Sequence, residues 1–204
     1  MLLYPIIILI CMTIITVMNI IFNNMEPWYV YVIYTIVLTI LVIIIDGIVA
    51  WIIRSMPEKY FDYHKKIFNA GEKAKKFYKI IGVKKWKEKV PELGMFTSFR
   101  KNKISDPNNP EYLKRYILEA CYGVIIHYVS VPFGFLIMLC DYKMYSNASV
   151  LFLTIALPIA IVNAVLIVLP AYILKYNLPK LIRLYEFKKR QSEKGELNNE
   201  TCWI

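Results

Sequence analysis

The chain has 204 residues, of which 58% are hydrophobic and only 20% are charged. A water-soluble domain of this size has too little interior to bury so large an apolar fraction, so the composition indicates an all-α integral membrane protein. It excludes collagen-like and low-complexity chains, and four cysteines without a CxxC pair argue against a secreted disulfide scaffold. The formal net charge of +10 suits partners that carry phosphates or anionic lipid headgroups.

Four apolar runs are long enough to cross a bilayer as helices, which takes about 20 residues. They cover residues 2–22, 28–53, 117–139 and 148–174. The first run lacks a basic start and a small-x-small cleavage site, so we interpret it as a retained helix rather than a signal peptide. Because the connections after the first and third runs are short, the sequence predicts two antiparallel hairpins within one membrane domain over residues 1–204.

Basic residues are concentrated in two segments outside the apolar runs. The loop 54–115 holds 17 of the 25 lysines and arginines, and the tail 175–204 holds seven more. By the positive-inside rule, both segments and hence both termini are predicted to be cytoplasmic. The connections at 23–27 and 140–147 are then the outer turns.

An amphipathic pattern runs through the loop and returns in the tail. In the loop, apolar and small residues recur at spacings of four and three, which predicts a helix, broken at Gly71, that lies flat in the headgroup layer. In the tail, Pro179 is expected at the first position of a second such helix. Ordinary solvated helices are the alternative for both. The residues of the loop pattern are Tyr60, His64, Ile67, Gly71, Ala74, Tyr78 and Ile81.

Three ionisable residues lie within the apolar runs, namely Asp46, Glu119 and His127. Intramembrane residues of this kind indicate function by default, and histidine is both an acid and a base near neutral pH. Glu119 and His127 are eight residues apart, about 12 Å along a helix, so they share a broad face. Gly123, between them, is expected to leave a groove there. The alternatives are packing roles, with Asp46 bonded to a hydroxyl or amide, and a proton relay along the three groups.

Several known chemistries are excluded by their missing motifs. The chain has no glycine-rich phosphate loop, no GxSxG and no HExxH. Neither of the two histidines is followed at the fifth position by aspartate, which excludes the signature of soluble glycerolipid acyltransferases. Two histidines and scattered cysteines cannot form a zinc cluster at a usual spacing, so we expect no metal and no resident cofactor.

Motifs in a fixed order along residues 56–190 resemble one known family. The most specific is the Lys-Lys-Trp-Lys block at 84–87 with the Pro-Glu that follows it. The full set comprises 56–61, Glu72 with Phe77 and Tyr78, 83–89, 91–94, Glu119 with His127, and 176–181. In these positions the chain resembles the glycosyl-4,4'-diaponeurosporenoate acyltransferases.

The resemblance implies a location and a reaction. The location is a bacterial plasma membrane. The reaction is transfer of a fatty acyl group from an activated donor to a sugar hydroxyl of a glycosylated carotenoid, the last step of staphyloxanthin-type pigment synthesis. An acyltransferase for another lipid-linked sugar, or a non-catalytic membrane scaffold, is the alternative. No nucleic acid partner is expected.

Chemistry applied to the matched positions suggests their roles. Acyl transfer to a hydroxyl needs a base and donors for the oxyanion that develops on the thioester carbonyl. His127 is the candidate base, and Glu119 is its orienter or a contact for the sugar. The basic block is expected to bind the phosphates of an anionic donor, coenzyme A or a carrier protein, although anchoring to anionic lipid explains it equally well. The predicted substrate-binding residues are Lys84, Lys85, Trp86, Lys87, Tyr176 and Asn177.

Overall fold

The computed structural model describes residues 3–23, 26–68, 71–88, 90, 104–139 and 151–200. All regular structure within these ranges is helical. The α-helices are α1 (Leu3–Phe22), α2 (Trp28–Ser55), α3 (Glu72–Ile80), α4 (Val83–Trp86), α5 (Pro110–Gly134) and α6 (Leu157–Glu200). Short 3-10 turns cover Glu58–Phe61 and Phe135–Leu139, and a π-helical turn covers Phe152–Ala156.

Four of the helical segments are long and apolar enough to cross a membrane. They are Pro5–Phe22, Trp28–Ser55, Pro110–Leu139 and Phe152–Glu193. The prediction of an all-α membrane protein with four spanning helices is thus confirmed for the described residues. The hairpin arrangement and the interfacial position of the loop stay predictions, and much of both expected outer turns, 24–25 and 140–147, lies outside the described residues.

Helix α5 begins seven residues before the apolar run that predicted it. The side-chain Oδ1 of Asn109 accepts hydrogen bonds from the backbone N–H groups of Glu111 and Tyr112, at 3.0 and 3.2 Å. Pro110 occupies the first helical position, where the N–H that proline lacks is not needed. Because this N-cap satisfies two otherwise unpaired donors, the helix starts at the cap and not at the edge of the apolar run.

The predicted break between the fourth apolar run and the tail is wrong. Helix α6 continues through both Pro170 and Pro179, so Pro179 lies inside a helix rather than at its first turn. An interior proline removes one backbone hydrogen bond. The helix nevertheless persists because it keeps an apolar stripe, and Leu178, Leu181 and Tyr185 are all buried.

The predicted amphipathic helix of the loop forms only in its second half. Gly71 is the N-cap of α3, and residues 62–68 form turns instead of a helix. The local hydrogen bonds explain the difference. Asp62 Oδ1 accepts from the backbone N–H of His64 at 3.0 Å, and the Lys65 ammonium donates to two preceding carbonyl oxygens at 3.0 and 3.2 Å. These side chains satisfy backbone groups that a helix would otherwise pair.

By its internal contacts the chain divides into two compact units. The first unit comprises residues 1–55 and 126–169, and the second comprises 56–125 and 170–204. Helices α5 and α6 each contribute to both. The assignment of one membrane domain stays a prediction.

In the first unit, α1 packs against α2, and both contact the π-helical turn. The buried core is aliphatic apart from one tyrosine, Tyr31, whose hydroxyl accepts from the backbone N–H of Glu26 at 3.2 Å. Its members are Tyr31, Leu38, Val42, Ile137, Leu151, Ile155, Ala156, Ile159 and Ala160.

The π-helical turn has a local cause in the sequence. Pro158 has no N–H, so the carbonyl of Thr154 lacks the donor that an α-helix would supply four residues later. The side-chain amide of Asn19, which is 3% exposed, donates to this carbonyl at 2.9 Å, and the amide of Asn23 donates to the Thr154 hydroxyl at 3.1 Å. Because apolar surroundings offer no water, the amides of Asn19 and Asn23 supply hydrogen bonds that the carbonyl and hydroxyl of Thr154 would otherwise lack.

The second unit is organised around an aromatic cluster. Tyr78 of α3 and Val83 of α4 are buried, and Tyr172 and Tyr176 of α6 pack against them. Gly82 joins α3 to α4 with a φ of +64°, a left-handed conformation that favours glycine. This turn sets the direction in which the basic block of α4 projects.

Candidate functional site

Helix α4 presents its lysines because of the turn that precedes it. Val83, the first residue after Gly82, is fully buried, whereas Lys84 and Lys85 are exposed. Within the described residues neither lysine forms an ion pair, although Lys75 on α3 does pair with Glu72 at 3.1 Å. Lys84 and Lys85 therefore offer ammonium groups that no carboxylate of the described residues neutralises, which is what an anionic ligand requires.

Trp86 is held in place by its own N–H. The indole Nε1 donates to the backbone carbonyl of Ile81 at 2.8 Å, and the ring packs against the cluster of Tyr78 and Val83. Since this N–H is already bonded, the ring face is what remains for stacking on a ligand or for the headgroup layer. The two roles predicted for Trp86 both use that face.

Two lysines flank the ring of Tyr176. The ammonium of Lys87 lies 5.8 Å from the ring centroid and that of Lys180 lies 4.5 Å from it, both within cation–π range. The structure thus brings Trp86, Lys87 and Tyr176 together in the second unit. Their role in substrate binding stays a prediction. The neighbouring Asn177 is half-buried and forms no hydrogen bond within the described residues. Lys89 and residues 91–94, which belong to the same motif, lie outside the described residues.

Lys180 was missed by sequence reasoning. It follows Tyr176 by four residues, the spacing that brings two side chains together on one helix face. The expected break of α6 before Pro179 obscured this signal.

Glu119 is fixed by an arginine that sequence reasoning also missed. Arg115 Nη2 donates to Glu119 Oε1 at 2.9 Å, and Arg115 Nη1 donates to Glu58 Oε1 at 3.1 Å. The Glu119 side chain is only 13% exposed, so its charge is largely shielded from water while the arginine is about half exposed. The spacing of four between Arg115 and Glu119 was visible in the sequence, but the contribution of Glu58 was not.

The segment around the first family motif packs on α5. The rings of Phe61 and Tyr122 lie 4.2 Å apart between centroids, and the Tyr122 hydroxyl donates to the Met56 carbonyl at 3.5 Å. These contacts hold the segment that carries Glu58 beside the start of α5. The first family motif therefore lies next to the part of α5 that carries Glu119.

Tyr63 lies in the same unit, with its ring 6.2 Å from that of Tyr185. Partial burial, and then the neighbouring Tyr185, Glu186 and Asp62, raise the pKa of the Tyr63 hydroxyl above its usual value. The hydroxyl therefore stays neutral to a higher pH than that of an ordinary tyrosine.

His127 belongs to the part of α5 that lies in the first unit, whereas Glu119 belongs to the second. The imidazole is half-buried and forms no hydrogen bond within the described residues. The two residues lie in different units, so the pairing of His127 with Glu119 stays a prediction. The groove expected at Gly123 is occupied instead, because a Cβ added there would lie 2.7 Å from Leu174 Cδ1.

A second polar group in the first unit surrounds Asp46. Its carboxyl group interacts with the side chains of Asn163 and Ser130, neither of which sequence reasoning singled out. Asn163 also lies against Gly134, where an added Cβ would be 2.8 Å from Asn163 Nδ2. The cluster joins α2, α5 and α6. An amide partner was one alternative for Asp46, and the position of Asn163 agrees with it.

These features define a helical membrane protein with a basic and aromatic surface in one unit and a polar cluster in the other. The sequence profile of the glycosyl-4,4'-diaponeurosporenoate acyltransferase family matches residues 57–187. Since the match covers more than half of the chain, the protein belongs to this family, which is an acyltransferase family of carotenoid synthesis, and the resemblance found in its motifs is confirmed. No curated protein and no solved structure matches the chain.

Proposed function

We propose that the protein transfers a fatty acyl group from an activated, thioester-linked donor to a sugar hydroxyl of a glycosylated diaponeurosporenoate. The family match over residues 57–187 is the observation that carries the proposal. This reaction completes a staphyloxanthin-type pigment in a bacterial plasma membrane. The acceptor stays in the bilayer, and the donor, coenzyme A or a carrier protein, arrives from the cytoplasm.

The proposed chemistry is an acyl transfer assisted by a general base. His127 takes the proton of the sugar hydroxyl as its oxygen forms a bond to the thioester carbonyl carbon. The carbon–sulfur bond then breaks, and the departing thiolate receives the proton from the imidazole. Glu119, held by Arg115, supplies a fixed negative charge that steadies an imidazolium or contacts the sugar.

The donor is proposed to bind at the basic block. Lys84 and Lys85 are exposed and unpaired within the described residues, and Lys87 lies beside the ring of Tyr176. Lysines bind phosphates as point charges, and an aromatic face such as that of Trp86 can stack on an adenine. Asn177 follows Tyr176 directly and completes the proposed substrate-binding set.

Product formation by purified protein tests this function. The protein is incubated with palmitoyl coenzyme A, or with an acylated carrier protein, and with glycosyl-4,4'-diaponeurosporenoate, and the acylated product is measured by mass spectrometry. The aglycone and a glucosyl diacylglycerol serve as control acceptors. We expect product from the glycosylated carotenoid alone. Acylation only of glucosyl diacylglycerol would indicate another lipid-linked sugar, and no acylation of any acceptor would favour a scaffold.

A further inference from the structure

Three polar side chains from three different helices meet inside the first unit. They are Asp46 of α2, Ser130 of α5 and Asn163 of α6. Ser130 is 2% exposed. Asp46 Oδ1, Ser130 Oγ and Asn163 Nδ2 are all buried. Asn163 and Ser130 lie close enough to act on the Asp46 carboxyl group, but none of the three atoms meets the distance and angle of a full hydrogen bond within the described residues. The cluster therefore has unused capacity both to donate and to accept hydrogen bonds.

Some buried polar groups of the same unit do form hydrogen bonds, although the hydroxyls of Thr35 and Thr39, like the cluster, have none within the described residues. On α1, the buried amide of Asn19 donates to the carbonyl of Ile15 at 2.7 Å and to that of Thr154 at 2.9 Å. Buried polar groups in proteins are normally satisfied in this way, and apolar surroundings make the penalty for an unsatisfied group larger. Three unsatisfied groups that converge from separate helices are more typical of a binding site than of packing.

The chemistry of the cluster selects its ligand. A carboxylate only accepts hydrogen bonds, an amide nitrogen only donates them, and a serine hydroxyl does both. Adjacent sugar hydroxyls, each a donor and an acceptor, match this set. The cluster contains no cationic side chain, so it does not suit an anionic donor with phosphates, which the basic block of the second unit suits better.

We propose that Asp46, Ser130 and Asn163 form a hydroxyl-binding subsite that receives the sugar of the membrane-bound acceptor. This inference rests on the proposed function and assigns its acceptor subsite. Ser130 follows His127 by three residues on α5, which places the two on one helix face about 4.5 Å apart along the axis. A sugar held by Ser130 would thus present a hydroxyl close to the candidate base.

Direct binding tests the subsite without requiring turnover. Purified protein in detergent micelles is titrated with glycosyl-4,4'-diaponeurosporenoate and, separately, with its aglycone, and binding is followed by quenching of the four tryptophans. The wild type should bind glycosyl-4,4'-diaponeurosporenoate, the glycosylated ester, more tightly than the aglycone. Each of Asp46→Asn, Ser130→Ala and Asn163→Ala should reduce this preference by about tenfold, the worth of one such hydrogen bond, and leave aglycone affinity unchanged.

A matched control is available on α2. Thr35 is 1% exposed, and its hydroxyl is likewise buried without a partner within the described residues. It lies eleven residues from Asp46, about 16 Å along the helix. Thr35→Val should therefore keep the full preference for the glycosylated ester.

Three results would overturn the subsite. They are a wild type without preference for the sugar, cluster variants that retain the preference, and cluster variants that lose affinity for both ligands equally. Retention would mean that the cluster only binds water or packs. The proposed function fails separately, if the wild type prefers the glycosylated ester but forms no acylated product. Ser130→Ala removes a single oxygen, so it tests the subsite even where Asp46→Asn does not fold.

Discussion

His127 carries the proposed chemistry most directly, and glutamine at this position tests its role. Glutamine keeps hydrogen-bonding capacity and approximate size but cannot act as a base. We expect acyl transfer to fall by about 10² to 10⁴, the usual contribution of a positioned acid or base, while the protein still inserts in the membrane. Product formation at matched purified yield is the measurement. His64→Gln, which changes the exposed histidine of the loop, is the control. Wild-type turnover in His127→Gln would return this residue to a packing role.

The Arg115–Glu119 pair makes a prediction about non-additivity. If the Glu119 carboxylate acts in catalysis only while Arg115 holds it, Glu119→Gln and Arg115→Gln should each lower turnover by about tenfold, which is about 1.4 kcal/mol in the barrier. The double variant should then be no worse than either single one. Lys114→Gln removes a neighbouring exposed charge and should have no effect. Additive losses would show that the two side chains act independently.

Gly123 tests close packing between α5 and α6 in the second unit. Alanine there would place a Cβ 2.7 Å from Leu174 Cδ1, so the end of the leucine side chain has to move. Gly123→Ala should therefore lose most of the roughly 1 kcal/mol of stability that alanine gains over glycine in a helix. Gly47 is the control, since an added Cβ meets nothing within 4 Å and alanine favours a helix. Thermal unfolding followed by size-exclusion chromatography gives the comparison. A Gly123→Ala chain as stable as Gly47→Ala would contradict the close approach.

At the scale of elements, a comparison of the lysines on α3 and α4 distinguishes specific binding of the donor from general attraction between charges. Replacing Lys84, Lys85 and Lys87 by glutamine removes three charges from α4 and the residue that follows it. If these lysines bind donor phosphates, the KM for palmitoyl coenzyme A should rise by about tenfold and depend less on salt, with little change in kcat.

The neighbouring helix α3 supplies a matched set of charges. Lys73, Lys76 and Lys79 are all exposed, and their replacement by glutamine removes the same charge. We expect this second triple variant to keep its donor KM. An equal rise in both variants would favour general attraction to anionic surfaces, and no rise in either would leave lipid anchoring as the role of the α4 block.

The sequence predicted which elements exist better than where they end. Hydrophobic runs identify spanning helices because burial of backbone groups in lipid demands helix. Boundaries depend on single contacts, such as the Asn109 cap of α5 and the Asp62 turn before α3, which a periodic pattern does not reveal. Pro179 predicted the start of a helix, but it lies inside α6. The packing of the residues on both sides of it outweighs the one backbone hydrogen bond that proline removes.

The candidate site was predicted unevenly for the same physical reason. Trp86, Lys87 and Tyr176 come together because they belong to elements that share one core, and the sequence had identified each of them separately. Arg115 and Lys180 were accessible from a spacing of four on a helix. Ser130 and Asn163 were not, because a single serine or asparagine in an apolar run carries no pattern and gains meaning only when another helix brings it to Asp46.

For the whole molecule, the distribution of apolar and basic residues agrees with a membrane protein. Large apolar side chains on α1 and α2 are exposed, including Ile14 at 57% and Trp51 at 72%, as expected of surfaces that face lipid. The basic residues of the described segments cluster outside these surfaces, on α3, α4 and the end of α6. This segregation supplies the argument for orientation, because cationic loops are retained on the cytoplasmic side.

Cysteine accessibility tests that orientation. In a chain whose four native cysteines are replaced, single cysteines are introduced at Asn24, Lys79 and Glu193, and spheroplasts are treated with an impermeant maleimide. Since 24 of the 25 basic residues lie in segments assigned to the cytoplasm, position 24 should react in intact spheroplasts, and positions 79 and 193 only after lysis. The cysteine-free chain should remain unlabelled. Reaction at position 79 before lysis would reverse the topology and place the basic block on the side away from a cytoplasmic acyl donor.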